Sequence, residues 1–293
     1  MHTIDLDELL KYPSASSHSV AHEVSQSNSL GCELPAYLRE LLKEDCKLSK
    51  MDVIQIIKDA SSSPRDEFLA ILFWGAYFRV TARSPRIQRA LLDFILDQNF
   101  DTALAQVKTA ILESDDSESL FRSFSYCGKF KIPGLSYAYF TKLFFFYREA
   151  EGLSTYPILD KWLCMAWCAV DGTLNENTRV YDTYFRSPKS KSIFLLRRKP
   201  AQAYGEYVAF MSETSNHYGL SVADFEEKLF GRDLRVEPNS FNPRNEYKAW
   251  ANHLKKYPDN KQMALDDEDF ASIRDFIKTL PNPKNEQLRH RTI

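Results

Sequence analysis

The side chains best suited to chemistry lie in one segment, residues 131–162. Pro133-Gly134 separates two helical patterns, which predicts a short helix–turn–helix whose second helix begins near Ser136. Helix amino termini present unpaired N–H groups and a positive dipole end, and glycine lets the backbone approach closely, so this turn can hold a phosphate. The same hairpin is also common as a purely structural element, and both interpretations stay open on this evidence.

Two charged side chains follow the turn. Asp160 comes eighteen residues after Lys142, directly before an apolar helical pattern. The helix dipole and backbone N–H groups favour an ionised carboxylate there. An aspartate at that position can also be an ordinary N-cap, which contributes about 1 kcal/mol without any chemistry. Lys142 has three alternatives: a solvated lysine or carboxylate partner, a phosphate contact, or an amine nucleophile.

The composition favours helices as the elements that position these residues. The chain has 293 residues, 44% of them hydrophobic, enough to bury a core in one large or two modest domains. Only 9 glycines occur, which argues against a β-sandwich, a barrel or a glycine-fingerprinted nucleotide fold. The net charge of −2 excludes a polycation, so any affinity for nucleic acid must come from local basic clusters.

Apolar residues at three and four spacing predict a mostly helical chain after a polar segment, residues 1–30. The Ser63-Pro64 signal opens a helix that we expect to run to Val80. A possible strand covers residues 192–197. The other helices are predicted at 34–48, 51–60, 84–98, 100–114, 136–150, 161–172, 201–219, 221–231, 245–257 and 266–280.

No cofactor or metal is predicted. The 5 cysteines stand at 32, 46, 127, 164 and 168, and no Cys/His set has zinc-ligand spacing. Cys164 and Cys168 are four apart on an apolar helix, which is typical of core packing. The amino terminus lacks the apolar region of a secretory signal, and no apolar run reaches about 18 residues. These features predict a cytoplasmic protein without a membrane segment.

The order of the motifs resembles the helix-hairpin-helix DNA glycosylases. IPGLSYAYFTK (132–142) is similar to their hairpin, and PILDKWL (157–163) to the start of the helix that carries their catalytic aspartate. The Thr141-Lys142 pair, together with FWGAYFR (73–79) and SVADFEEKLFG (221–231), resembles the bacterial branch with the 8-oxoguanine DNA glycosylase fold, which includes anti-phage enzymes. The resemblance covers residues 65–232 and implies an all-α fold of two helical lobes with a cleft between them. Residues 1–64 would then be a leading segment and 233–293 a helical extension.

The resemblance implies an enzyme that flips a modified or damaged base out of duplex DNA and hydrolyses its N-glycosidic bond to leave an abasic site. A hypermodified, glucosylated hydroxymethyl cytosine of phage DNA, excised in antiviral defence, is the first substrate prediction. The alternatives are an 8-oxoguanine repair glycosylase/lyase and a non-catalytic helical DNA-binding module. A monomer is expected.

Site roles follow from the same resemblance. Asp160 would stabilise positive charge on the sugar as the base leaves. Enzymes that also cleave the backbone carry a lysine four residues after the first hairpin glycine. Here that position is Ala138, which favours a monofunctional enzyme, with Lys142 one turn further as the second catalytic candidate.

Aromatic and basic side chains complete the predicted site. Trp74, Tyr77, Phe78 and Trp162 are base-pocket candidates, for which core packing is the alternative. One basic cluster comprises Arg79, Arg83, Arg86 and Arg89. The residues predicted to contact DNA are Pro133, Gly134, Ser136, Arg186, Lys189, Lys191, Arg197 and Arg198.

Overall fold

The structure is a computed structural model. It describes residues 48–75, 77, 85–174, 179–185, 196, 198–230, 244–245, 247–248 and 250–251. These residues contain helices and connecting segments and no strand, which confirms the all-α class. Among them, no helix combines the length and the apolar character needed to cross a membrane.

The chain divides into two compact units, with the boundary between Asp160 and Lys161. The unit that ends at Asp160 contains α1 (Lys50–Lys58), α2 (Pro64–Trp74), α3 (Pro85–Ile95), α4 (Phe100–Leu112), α5 (Ser117–Phe124) and α6 (Tyr137–Ala150). The unit that continues from Lys161 contains α7 (Lys161–Leu174), a π-helical turn (Tyr181–Phe185), α8 (Pro200–His217), α9 (Val222–Phe230) and helical residues between 244 and 251. The domain limits expected at residues 64 and 232 stay predictions.

Local capping explains where several helices begin. Ser63 caps α2, its hydroxyl accepts a hydrogen bond from the Asp66 N–H, and Pro64 occupies the first helical position, as the sequence predicts. The prediction that this helix reaches Val80 is wrong, because α2 ends at Trp74 and Gly75 forms its C-cap. Tyr77 therefore lies beyond the end of the helix that carries Trp74.

Helix α6 is the centre of the first unit. It packs against α1, α2 and α4, and the run Leu143–Tyr147 is buried. A helix that is apolar on all sides belongs in a core, so the sequence of α6 requires neighbours around it. An ion pair between Glu67 of α2 and Lys108 of α4, with an O–N distance of 3.0 Å, joins two of those neighbours. Burial raises the pKa of Glu67, and the Lys108 ammonium opposes that shift.

Arg148, near the end of α6, holds the segment that leads to Asp160. Its side chain is buried, at 4% exposure. The guanidinium donates to the carbonyl of Ser154 at 2.6 Å and to the carbonyls of Ile111 and Ser114 at 3.0 and 2.8 Å. Its planar group also lies 4.1 Å from the centroid of the Tyr156 ring. The arginine therefore ties the segment after α6 to the carboxyl-terminal end of α4.

We predict that Arg148→Met lowers the free energy of unfolding by about 2–4 kcal/mol, because three carbonyls lose a charged donor in a buried place. Urea denaturation followed by circular dichroism measures the change. Arg122→Met is the matched control, since the Arg122 side chain is 69% exposed and pairs with Glu118 on its own helix. The control should lose less than about 1 kcal/mol. Equal losses in both variants would contradict the role assigned to Arg148.

Candidate active site

The hairpin consists of α5, the connection 125–136 and α6. Its turn is closed by a 3.2 Å hydrogen bond from the Leu135 N–H to the Ile132 carbonyl. Pro133 and Gly134 are the central residues of that turn, and Gly134 has a φ of +78°, a conformation that favours glycine. Helix α6 begins at Tyr137 with Ser136 as N-cap, which confirms the predicted start. The connection is longer than the short turn that we predicted, because α5 already ends at Phe124.

Gly134 is packed tightly against other parts of the first unit. The Tyr77 hydroxyl donates a hydrogen bond of 3.0 Å to its carbonyl. A Cβ at this glycine would lie 2.8 Å from the Ile87 carbonyl oxygen and 3.1 Å from the Leu91 Cβ of α3. Tyr77 itself is 1% exposed and meets the Tyr139 ring edge-on at 4.8 Å. In this structure Tyr77 supports the hairpin from its buried side, and its role in a base pocket stays a prediction.

The amino-terminal end of α6 carries an exposed hydroxyl. Ser136 makes no side-chain capping bond, while its carbonyl accepts the N–H groups of Tyr139 and Phe140 at 2.9 and 3.1 Å. The hydroxyl therefore lies at the positive end of the helix dipole and does not cap the helix. An anion is the group that such an end attracts.

Lys142 is buried, with 7% of the residue exposed. Its ammonium donates to the carbonyl of Ala138 at 2.8 Å and lies 5.8 Å from the Trp74 ring centroid and 5.4 Å from that of Tyr139. A Cβ at Gly75 would come within 2.9 Å of the Lys142 Cδ, so the glycine after α2 leaves room for this side chain. The alternative of a solvated lysine is therefore wrong.

Thr141 joins the hairpin helix to the residue before Asp160. It is fully buried, and its hydroxyl donates to the Tyr137 carbonyl at 2.7 Å. The same oxygen accepts the N–H of Leu159 at 3.1 Å. In the sequence Thr141 is notable only as part of the Thr-Lys pair, because no local pattern reveals a partner eighteen residues away.

Asp160 stands at the end of a segment, residues 153–160, that is neither helix nor strand. Residues 156–159 are buried, Asp160 is half-buried, and α7 begins at Lys161. The carboxylate thus occupies the position before a helix start that the sequence predicts. A side chain at such a site feels the positive end of the dipole.

The other predicted site residues are placed as follows. Trp74 is half-buried and meets Phe146 edge-on at 4.9 Å, beside Lys142. Trp162 is half-buried in the first turn of α7, with the Arg244 guanidinium 5.0 Å from its ring centroid. Arg198 is exposed. Phe78, Arg79, Arg83, Arg186, Lys189, Lys191 and Arg197 lie outside the described residues, as does the side chain of Arg86. The predicted strand at 192–197 also lies outside them, apart from Leu196.

Cys164 and Cys168 are buried in α7, in agreement with core packing, and burial raises the pKa of the Cys168 thiol. In the part of the chain that the structure describes, no group of three or more His, Cys, Asp and Glu side chains could hold a metal ion.

We predict that Gly134→Ala destabilises the protein more than Gly152→Ala does. Both glycines have similar positive φ angles, +78° and +68°, but a Cβ at Gly152 meets nothing within 4 Å. The control therefore costs about 1 kcal/mol for backbone strain, while Gly134→Ala adds a collision with a backbone carbonyl. Urea denaturation of both variants measures the difference. Equal losses would show that the hairpin is not packed against α3 as described.

One of three comparisons with known proteins identifies a family for this chain. The family described as "Putative 8-oxoguanine DNA glycosylase OGG-like protein" matches residues 17–230, well over half of the chain. Searches of the curated proteins and of the solved structures return no match. The matched residues include the hairpin, Thr141, Lys142 and Asp160. The chain therefore belongs to the OGG-like family of DNA glycosylases.

Proposed function

We propose that the protein hydrolyses the N-glycosidic bond of a modified or damaged base that has been flipped out of duplex DNA, and that it leaves an abasic site. The observation that carries this proposal is the hydrogen bond between Thr141 and Leu159, which links the hairpin helix to the residue before Asp160. A hairpin that binds the DNA backbone and a carboxylate that acts on the sugar must keep a fixed relation to each other. This bond supplies such a relation within the unit that ends at Asp160.

The proposed chemistry needs only a fixed negative charge and a water molecule. As the bond between C1′ and the base nitrogen breaks, its electron pair leaves with the base and positive charge builds on the sugar. The Asp160 carboxylate stabilises that charge and orients the water that adds to C1′, while the departing base takes up a proton. The half-buried position before α7 suits both tasks, since water and substrate must reach the carboxylate.

The role of the Lys142 amine distinguishes two kinds of enzyme, a monofunctional glycosylase and a glycosylase/lyase. We propose a monofunctional glycosylase, because Ala138 occupies the expected lyase position and the Lys142 ammonium donates to the carbonyl of that same residue. In this role Lys142 supplies a fixed positive charge in the site. The second candidate is a glycosylase/lyase that uses Lys142 as a Schiff-base nucleophile. Its burial beside Trp74 and Tyr139 favours that candidate, because a desolvated amine is the kind that enzymes use for such attack.

The substrate is proposed from the resemblance of the motifs. A hypermodified cytosine of phage DNA, removed in antiviral defence, is the first proposal, and oxidised guanine, which the description of the family names, is the second. We further propose that the protein acts as a cytoplasmic monomer and that the hairpin residues and Arg198 contact the DNA backbone. A non-catalytic DNA-binding module would use the same hairpin without base release.

We predict that Asp160→Asn abolishes base release while duplex binding is retained. Duplexes that each carry one modified base are incubated with the protein and then treated with alkali, which cleaves the strand at abasic sites. Asp116→Asn is the matched control, because Asp116 caps α5 through the Glu118 and Ser119 N–H groups and asparagine caps a helix equally well. An Asp160 that served only as a cap would leave activity intact in both variants.

The same assay separates the two candidate enzymes. The monofunctional enzyme yields strand breaks only after alkali. Breaks before alkali, together with a borohydride-trapped adduct that disappears in Lys142→Met, would establish the lyase and overturn the monofunctional proposal.

We predict that Thr141→Val slows base release about tenfold or more, because the Leu159 N–H loses its acceptor and Asp160 is no longer held in place. Thr141→Ser keeps the oxygen and should restore most of the rate. Single-turnover rates on the best substrate and the Kd of the same duplex are measured for both variants. A purely structural threonine would predict parallel losses of binding and rate, without recovery in the serine variant.

A further inference from the structure

Three cations surround the indole ring of Trp162. The Arg244 guanidinium carbon, the Lys248 Nζ and the Lys161 Nζ lie 5.0, 5.3 and 5.7 Å from the ring centroid. These distances fall within the range of cation–π attraction, about 6 Å. We call these four residues the Trp162 cluster. Trp162 follows Asp160 by two positions, so the cluster is next to the candidate catalytic carboxylate along the chain.

The segment that carries Arg244 and Lys248 is anchored on the last turn of α9. Arg244 Nε donates to the Phe230 carbonyl at 2.7 Å, and the guanidinium lies 4.0 Å from the Phe230 ring centroid. The Tyr247 hydroxyl donates to the Leu229 carbonyl at 3.1 Å. Carbonyls of a final helical turn lack partners within their own helix. These two bonds satisfy such carbonyls and fix the segment that carries Arg244 and Lys248 to the end of α9. Arg244 and Lys248 are four residues apart and share one helical face.

The charges of the Trp162 cluster favour an anionic ligand. Like charges four residues apart on a helix repel each other. Lys161 and Lys248 are exposed, and neither forms an ion pair with any residue that the structure describes. The indole ring attracts these cations, but it does not neutralise their charge. A bound anion would do so.

We infer that the Trp162 cluster binds a phosphate of the DNA strand from which the base is removed. This inference rests on the proposed function. Two phosphates flank every deoxyribose, so a carboxylate held at C1′ has a phosphodiester within reach of neighbouring side chains. Arg244 and Lys248 lie beyond residue 230, where the match to the family ends. The segment after α9 therefore adds to the strand contact that the matched residues supply.

The salt dependence of DNA binding tests the number of phosphate contacts. The probe is a duplex with one tetrahydrofuran abasic-site analogue, and its Kd is measured by fluorescence anisotropy over a series of KCl concentrations. The double variant Lys161→Gln/Lys248→Gln should reduce the slope of log Kd against log [KCl] by about 1, because the cluster neutralises one phosphate. Lys58→Gln, at the exposed end of α1, is the control and should leave the slope unchanged.

Neutral phosphates locate the contact on the strand. Each phosphate near the analogue is replaced in turn by a methylphosphonate. Replacing a phosphate that flanks the abasic sugar should weaken binding by the wild type roughly tenfold. The same replacement should not weaken binding by the double variant, which already lacks the lysines that contact this phosphate. The phosphate site alone is overturned if the wild type releases base and binds the duplex but the double variant has an unchanged slope of log Kd against log [KCl]. A wild type that releases no base from any duplex overturns the proposed function as well.

Discussion

The buried hydrogen bond from the Leu159 N–H to the Thr141 hydroxyl is the interaction on which the candidate site depends. Thr141 sits in the second turn of α6, the helix that begins at the hairpin, and Leu159 is the last residue before Asp160. The bond is shielded from water, so breaking it would leave a buried N–H without a partner, at a cost of about 1–3 kcal/mol. This bond fixes the backbone directly before Asp160 to the helix that begins at the hairpin.

Helix α6 has to serve two purposes that usually conflict. Its apolar side chains form the centre of the first unit, yet it also carries Lys142 and Arg148, which are both buried. Each charge is directed at backbone carbonyls, Ala138 for the lysine and three carbonyls outside α6 for the arginine. Charged donors placed in this way offset part of the desolvation cost and fix the loop after the helix. A site held by a packed helix keeps its geometry better than one held by loops alone.

The residues before and after the boundary between Asp160 and Lys161 contribute different groups. Residues before the boundary supply the hairpin, the buried lysine and the carboxylate. Residues after it supply the cations around Trp162, two of them from the segment beyond the family match. Under the proposed function, the strand must be held while the sugar carbon is exposed to the carboxylate.

The sequence by itself determined the helical class, most helix positions and the starts of α2, α6 and α7. These features depend on interactions within about four residues, such as the capping box at Ser63 and the Pro-Gly turn before Ser136, so they can be read locally. The family motifs also identified Asp160 and Lys142 as candidates.

Only the tertiary structure decided the early end of α2 at Trp74, the burial of Lys142 and the support of the hairpin by Tyr77. The Tyr77 hydroxyl and the Gly134 carbonyl are 57 residues apart in sequence, and no local pattern specifies such a pair. Helices are defined by contacts one turn apart, whereas the partner of a buried polar group depends on which helices pack together, and that is a property of the whole unit.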